Sequence, residues 1–138
     1  MSRDIRVITT TLVVKIVHVC LAALLVYCAV IQLNDPDPYF WALMYAVCAA
    51  VPLMNLFARN YLAVCWLAML LCSVGIGVSS GGMIEYLQNA GEEPLMQPMS
   101  DEKYYIEEAR EMLGALVSLL IVLGYFVIKR SRRTATQN

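Results

Sequence analysis

Two acidic clusters hold the residues of this chain whose types and spacing could do chemistry. The first, Gln32-Leu33-Asn34-Asp35-Pro36-Asp37-Pro38, follows one long apolar run, and the second, Glu107-Glu108-Ala109-Arg110-Glu111, leads into another. The carboxylates of Asp35, Glu107 and Glu111, with amide oxygens from Gln32 or Asn34, form the oxygen-rich set that a hard divalent cation takes. The same residues support a structural reading. Arg110 carries a planar fork that pairs bidentately with carboxylates, so it could clamp Asp35 to Glu107 or Glu111 and tie two helices together. One arginine against three acids leaves negative charge over, which suits an ion, a proton or a cationic ligand. Both readings stay open on the sequence.

Spacing says which face these residues occupy. Glu107, Arg110, Glu111, Gly114 and Ser118 fall at i, i+3, i+4, i+7 and i+11, one side of a helix, and Lys103 extends that side outward by a turn. Leu113, Leu116, Val117, Leu119 and Leu120 take the other faces, toward lipid or neighbouring helices. A stripe that begins with charges and continues with Gly and Ser belongs inside a bundle, because charges near lipid are costly unless paired or hydrated. Glu108 falls off the stripe and reads as solvated. In the first cluster, Asp37 before Pro38 reads as a helix N-cap with proline at the first helical position. Pro36 excludes helical geometry for Asp35 and holds it in a stiff turn.

The elements that position these clusters are membrane helices. Of 138 residues 60% are apolar and only 15% charged, against roughly a quarter charged in a soluble domain. Four runs approach the ~20 residues needed to span a bilayer: 16–33, 39–57, 62–79 and 112–128, with an outer loop over 80–111. The first run is too long for a cleaved signal and no small-x-small site follows it, so it is expected to be retained. The net charge of −1 hides a polar distribution: eight of the ten Lys/Arg lie at the N-terminus, at Arg59 and in the Lys129–Arg133 tail, and ten of the eleven acids lie in the other connections. Positive charge marks the inner side. The expected fold is therefore an all-α membrane protein, a single-domain four-transmembrane-helix bundle with both termini inside and both acidic clusters at the outer rim.

Within that frame the Ala58-Arg59-Asn60 turn makes the second and third spans antiparallel neighbours, with Pro52 kinking the second or lying near its inner end. Gly77 and Gly81 form a small-xxx-small pair that permits close helix contact. Gly91, Pro94 and Pro98 mark a true loop. Ser100 or Asp101 caps a helix that continues into the fourth span as one protruding rod.

The remaining reactive residue types carry less. Cys20, Cys28, Cys48, Cys65 and Cys72 all lie in apolar runs with no Cys-x-x-Cys, which argues against disulfides or zinc and for small packing residues. His18, the single histidine, lies ~21 Å along the helix from Gln32 at 1.5 Å per residue, too far for the outer cluster; a hydrogen-bonded packing role is expected. The basic tail directly follows an apolar run, so it reads as a stop-transfer flank or a contact for anionic lipid rather than for nucleic acid. There is no Ser/Cys–His pair, phosphate loop or multi-His cluster, which leans against an enzyme. A channel or transporter is weaker still, for want of a polar path through the membrane. The partners implied are the lipid bilayer and, beyond it, another membrane protein or a second copy of the chain; no cofactor is implied apart from the divalent cation already named.

Gln32-Leu33-Asn34-Asp35-Pro36-Asp37 with Trp41 and Tyr45, together with Glu107-Glu108-Ala109-Arg110-Glu111 and Gly114, resembles the paired motifs of the transmembrane protein 220 family. The resemblance implies a small multi-span membrane protein and draws attention to these two motifs; it hands on no activity.

Overall fold

The structure, a computed structural model, describes residues 3–35, 37–89, 93–98 and 101–137. Pro36, Gly91 and Ser100, on which three of the expectations above rest, lie outside the described residues. Among those described, the chain is helical with no strand: α1 (Arg3–Ile31), a 3₁₀ turn (Gln32–Asn34), α2 (Pro38–Leu56), α3 (Leu62–Val78), α4 (Ser80–Asn89), a second 3₁₀ turn (Asp101–Lys103) and α5 (Tyr104–Gln137). Among the described residues three stretches are long and apolar enough to cross a membrane, Thr11–Asn34, Pro38–Leu56 and Tyr104–Ala135, and a fourth if α3 and α4, bent by 49°, count as one broken span.

The segment over 80–89 departs from the expected loop. It remains helical because backbone bonds bridge the break, Ser79 N–H to the Gly75 carbonyl (3.0 Å) and Met83 N–H to the Ser79 carbonyl (3.2 Å). Ser80 Oγ also donates to the Gly77 carbonyl at 2.8 Å. The chain therefore bends instead of unwinding. Among the described residues Gly77 and Gly81 meet no neighbour; the close approaches are made by Gly75 and Gly82. A Cβ at Gly75 would come within 2.9 Å of the Trp41 ring, and one at Gly82 would collide with the Glu108 side chain. Gly75 thus admits an indole between α2 and α3, and Gly82 lets α4 lie on α5. Glu108 is correspondingly half-buried against α4, not solvated.

α1 packs on α2, α2 on α3, and α5 on α3 and α4. The core lies where α2 and α3 meet α5, around Trp41, Met44, Tyr45, Cys48, Val51, Cys65, Cys72 and Val122. Small thiols let α2 and α3 approach closely, and Cys48 and Cys72 Sγ are 3.5 Å apart. Leu12, Val26, Leu70, Leu120 and Val127 are among the many large apolar side chains left exposed, as lipid-facing helices require. Pro52 lies buried inside α2.

Two ends are distinguishable. At one, the Ala58–Asn60 turn meets the basic tail: Arg133 Nη2 donates to Asn60 Oδ1 at 3.2 Å, and Lys129 lies 5.2 Å above the Tyr61 ring. His18 packs toward this end, with Asn55 Nδ2 donating to its Nε2 at 2.7 Å and its Nδ1 sharing a hydrogen bond with the Tyr125 hydroxyl. This is the hydrogen-bonded packing role its isolation implied. The two acidic clusters occupy the other end.

Candidate functional site

α1 delivers Gln32 to the end of the bundle because the chain tightens into a 3₁₀ turn there, closed by Asp35 N–H to the Gln32 carbonyl at 3.1 Å. Asp35 then adopts an extended backbone (φ −84°, ψ 160°), the conformation imposed on a residue before proline. From α5, Glu107, Arg110 and Glu111 project from consecutive turns of one face. These segments enclose a cavity of about 380 Å³ lined by Gln32, Asp35, Glu107, Arg110 and Glu111, with Cys28, Ile31 and Tyr45 completing the wall.

Five of the seven residues named from sequence therefore meet. Asn34 and Asp37 do not: both are exposed and neither lines the cavity. Asp37 occupies the N-cap position of α2 with Pro38 just inside, but its side chain makes no capping hydrogen bond.

The carboxylates are unusually placed. Glu107 is 7% exposed and Glu111 6% exposed. Glu111 Oε2 accepts a hydrogen bond from Ser79 Oγ at 3.2 Å, whereas Glu111 Oε1 and Glu107 Oε1 are buried with no hydrogen-bond partner among the described residues. Burial pushes the Asp35 carboxyl above its ordinary value, an effect that the nearby Arg110 charge opposes and the Asp37 charge reinforces.

Arg110 does not form the expected clamp: it makes no ion pair with Asp35, Glu107 or Glu111. Its Nη1 donates instead to the Gln97 carbonyl at 3.5 Å. The reason lies in the packing, since α1 and α5 do not pack along their length and the cavity stands between them. Lys103, expected to extend the stripe, pairs with Glu93, which also accepts from the Tyr105 hydroxyl at 2.6 Å and so ties the 93–98 segment to the start of α5. For the metal reading of Asp35, Glu107 and Glu111, no three His, Cys, Asp or Glu groups among the described residues are gathered so as to hold an ion.

One partner of the site escaped the sequence reading, and a second was quoted there only as part of a family motif. Ser79 is fully buried at the α3–α4 bend and reaches Glu111 from there. Tyr45 places its hydroxyl against the backbone of Gly114, where an added Cβ would lie 1.8 Å from it. Tyr45 had a usable signal, since it stands with Trp41 and Gly114 among the motif residues already quoted. Ser79 had none, because its role depends on the bend.

No curated protein and no solved structure matches the chain. The family model described as "Transmembrane family 220, helix" matches residues 24–127, a span that contains both motifs. The chain belongs to transmembrane family 220 and is an integral, multi-pass membrane protein.

Proposed function

We propose that this is a non-enzymatic binding protein of the membrane, a four-helix bundle with both termini inside. Its outer-rim cavity takes a positively charged group that donates hydrogen bonds. One observation carries the reading: Glu107 and Glu111 are more than nine-tenths buried, and each keeps a carboxylate oxygen without a partner among the described residues. An unmet buried acceptor costs about 1–3 kcal/mol, more when charged, and a donor ligand recovers that cost. The cavity lining sets three carboxylates against one guanidinium, which favours a cation over an anion. The orientation rests on the Lys/Arg bias, and the bundle takes α3 and α4 as a single broken span.

The test is thermal melting of the purified protein with ethanolamine, choline or magnesium. Ethanolamine, whose ammonium carries N–H donors, is expected to raise the melting temperature, and Glu111→Gln to abolish the rise. Choline has no N–H and is expected to do little. A rise with magnesium alone, lost in Glu111→Gln, would assign the cluster to the divalent-cation reading. No response to any of the three would return it to a purely structural role.

A further inference from the structure

The acidic cavity does not end at the acids. Cys28 and Tyr45 line it and also line a second cavity of about 230 Å³, walled by Leu24 and Leu25 from α1 and by Leu113, Gly114 and Val117 from α5. The two cavities share these two walls, so an apolar groove adjoins the polar space along the seam between α1 and α5. That groove faces lipid: Leu24 is 48% exposed, Leu113 41% and Val117 52%. Gly114 keeps its floor open to Tyr45, since any side chain there would collide with the phenol. From Leu113 to Ser118 the groove follows α5 for about 7.5 Å at 1.5 Å per residue.

We infer that the two cavities form one site for a membrane lipid whose headgroup ends in a primary ammonium. The ammonium lies against Glu107 and Glu111 and one acyl chain lies in the groove. The inference rests on the binding role proposed above and adds the ligand class. Charge complementarity selects a cation, because three carboxylates face one arginine. The two unpartnered carboxylate oxygens select N–H donors over a quaternary ammonium, which has none. The lateral opening selects an amphiphile that enters from the bilayer over a soluble amine. An anionic headgroup would meet like charge.

Protein reconstituted in vesicles with equal parts phosphatidylethanolamine, phosphatidylcholine and phosphatidylglycerol, then released and weighed by native mass spectrometry, tests this. Phosphatidylethanolamine is expected to be retained at least tenfold over the other two. The preference is expected to vanish in Glu107→Gln/Glu111→Gln. Val117→Trp fills the groove from its exposed wall, and is expected to remove the preference while leaving the ethanolamine-dependent rise in melting temperature intact. Should Val117→Trp lose its melting transition, Leu24→Trp on the opposite wall is read in the same way. Equal retention of the three lipids by the wild type, or a preference that survives the filled groove, would overturn the inference. If ethanolamine still raises the melting temperature in either case, the binding role stands and only the lipid assignment falls; if ethanolamine is without effect on the wild type, the binding role falls too.

Discussion

Ser79 donates its hydroxyl to Glu111 across 3.2 Å, so one hydrogen bond joins the α3–α4 bend to the wall of the acidic cavity. Ser79→Ala strips Glu111 of that donor and is expected to lower stability by about 1–3 kcal/mol, the cost of a buried acceptor left unmet. A double-mutant cycle with Glu111→Leu, followed by thermal melting, measures the coupling. Strictly additive single effects would show that the bond contributes nothing.

Gly114→Ala places a methyl group where the Tyr45 hydroxyl lies, 1.8 Å from its oxygen. Overpacking of this kind costs about 1–3 kcal/mol. Tyr45→Phe removes the clashing oxygen and leaves the ring carbon at 3.1 Å, so the double variant is expected to recover most of the loss. A double variant as unstable as Gly114→Ala alone would place the strain elsewhere.

Asp35 and Asp37 are expected to behave differently. Asp37 is exposed and makes no capping hydrogen bond, so Asp37→Asn should raise the melting temperature only slightly, through the charge it removes near Asp35. Burial raises the folded-state value of Asp35, so the folded protein holds that proton more tightly than the unfolded chain. Its contribution to stability is full below the ordinary carboxylate range and is lost as pH rises through the raised value. Asp35→Asn is therefore expected to melt higher than wild type at neutral pH, with the gap closing as pH falls toward about 4. A gap that widens on acidification would reverse the sign.

The turn after α2 has an economical repair. Arg59 N–H bonds the Met54 carbonyl at 2.8 Å and Ala58 N–H the Asn55 carbonyl at 3.0 Å, the paired bonds that close a helix through a left-handed residue. Ala58 occupies that position with φ 53°, which disfavours any side chain. Ala58→Gly is expected to stabilise by about 0.5–1 kcal/mol after its cost in the unfolded chain, and Ala58→Val to destabilise. Chemical melts of the three proteins decide it.

Orientation is open to labelling. In a cysteine-free background, a single cysteine at Met96, which is 86% exposed, is expected to react with an impermeant maleimide from outside. One at Ser131 should react only after permeabilisation. The opposite pattern would invert the protein and place its acids inside.

Much of the architecture was legible along the chain because a bilayer leaves few choices: a backbone in lipid must satisfy its own hydrogen bonds, so long apolar runs become helices. Glu107, Arg110 and Glu111 were placed on one face by helical spacing alone, and Gln32 and Asp35 beside them by shared depth. Asp37 could be positioned as a cap, but whether its carboxylate made the bond depended on a backbone angle no spacing reveals.

What tertiary structure decided is what lies between the helices. Helical periodicity gives the face on which a residue stands but not the distance to the facing helix, because that distance follows from side chains contributed by other segments. The Trp41 ring against Gly75, Glu108 against Gly82 and Tyr45 against Gly114 set how α2 to α5 pack, and they leave the seam between α1 and α5 open at the acidic end, while His18 and Tyr125 bridge it at the other. Arg110 consequently reaches the Gln97 carbonyl instead of the acids. Charge and periodicity in the sequence located an acidic rim; packing by distant residues decided that the rim encloses a cavity and is not closed by a clamp.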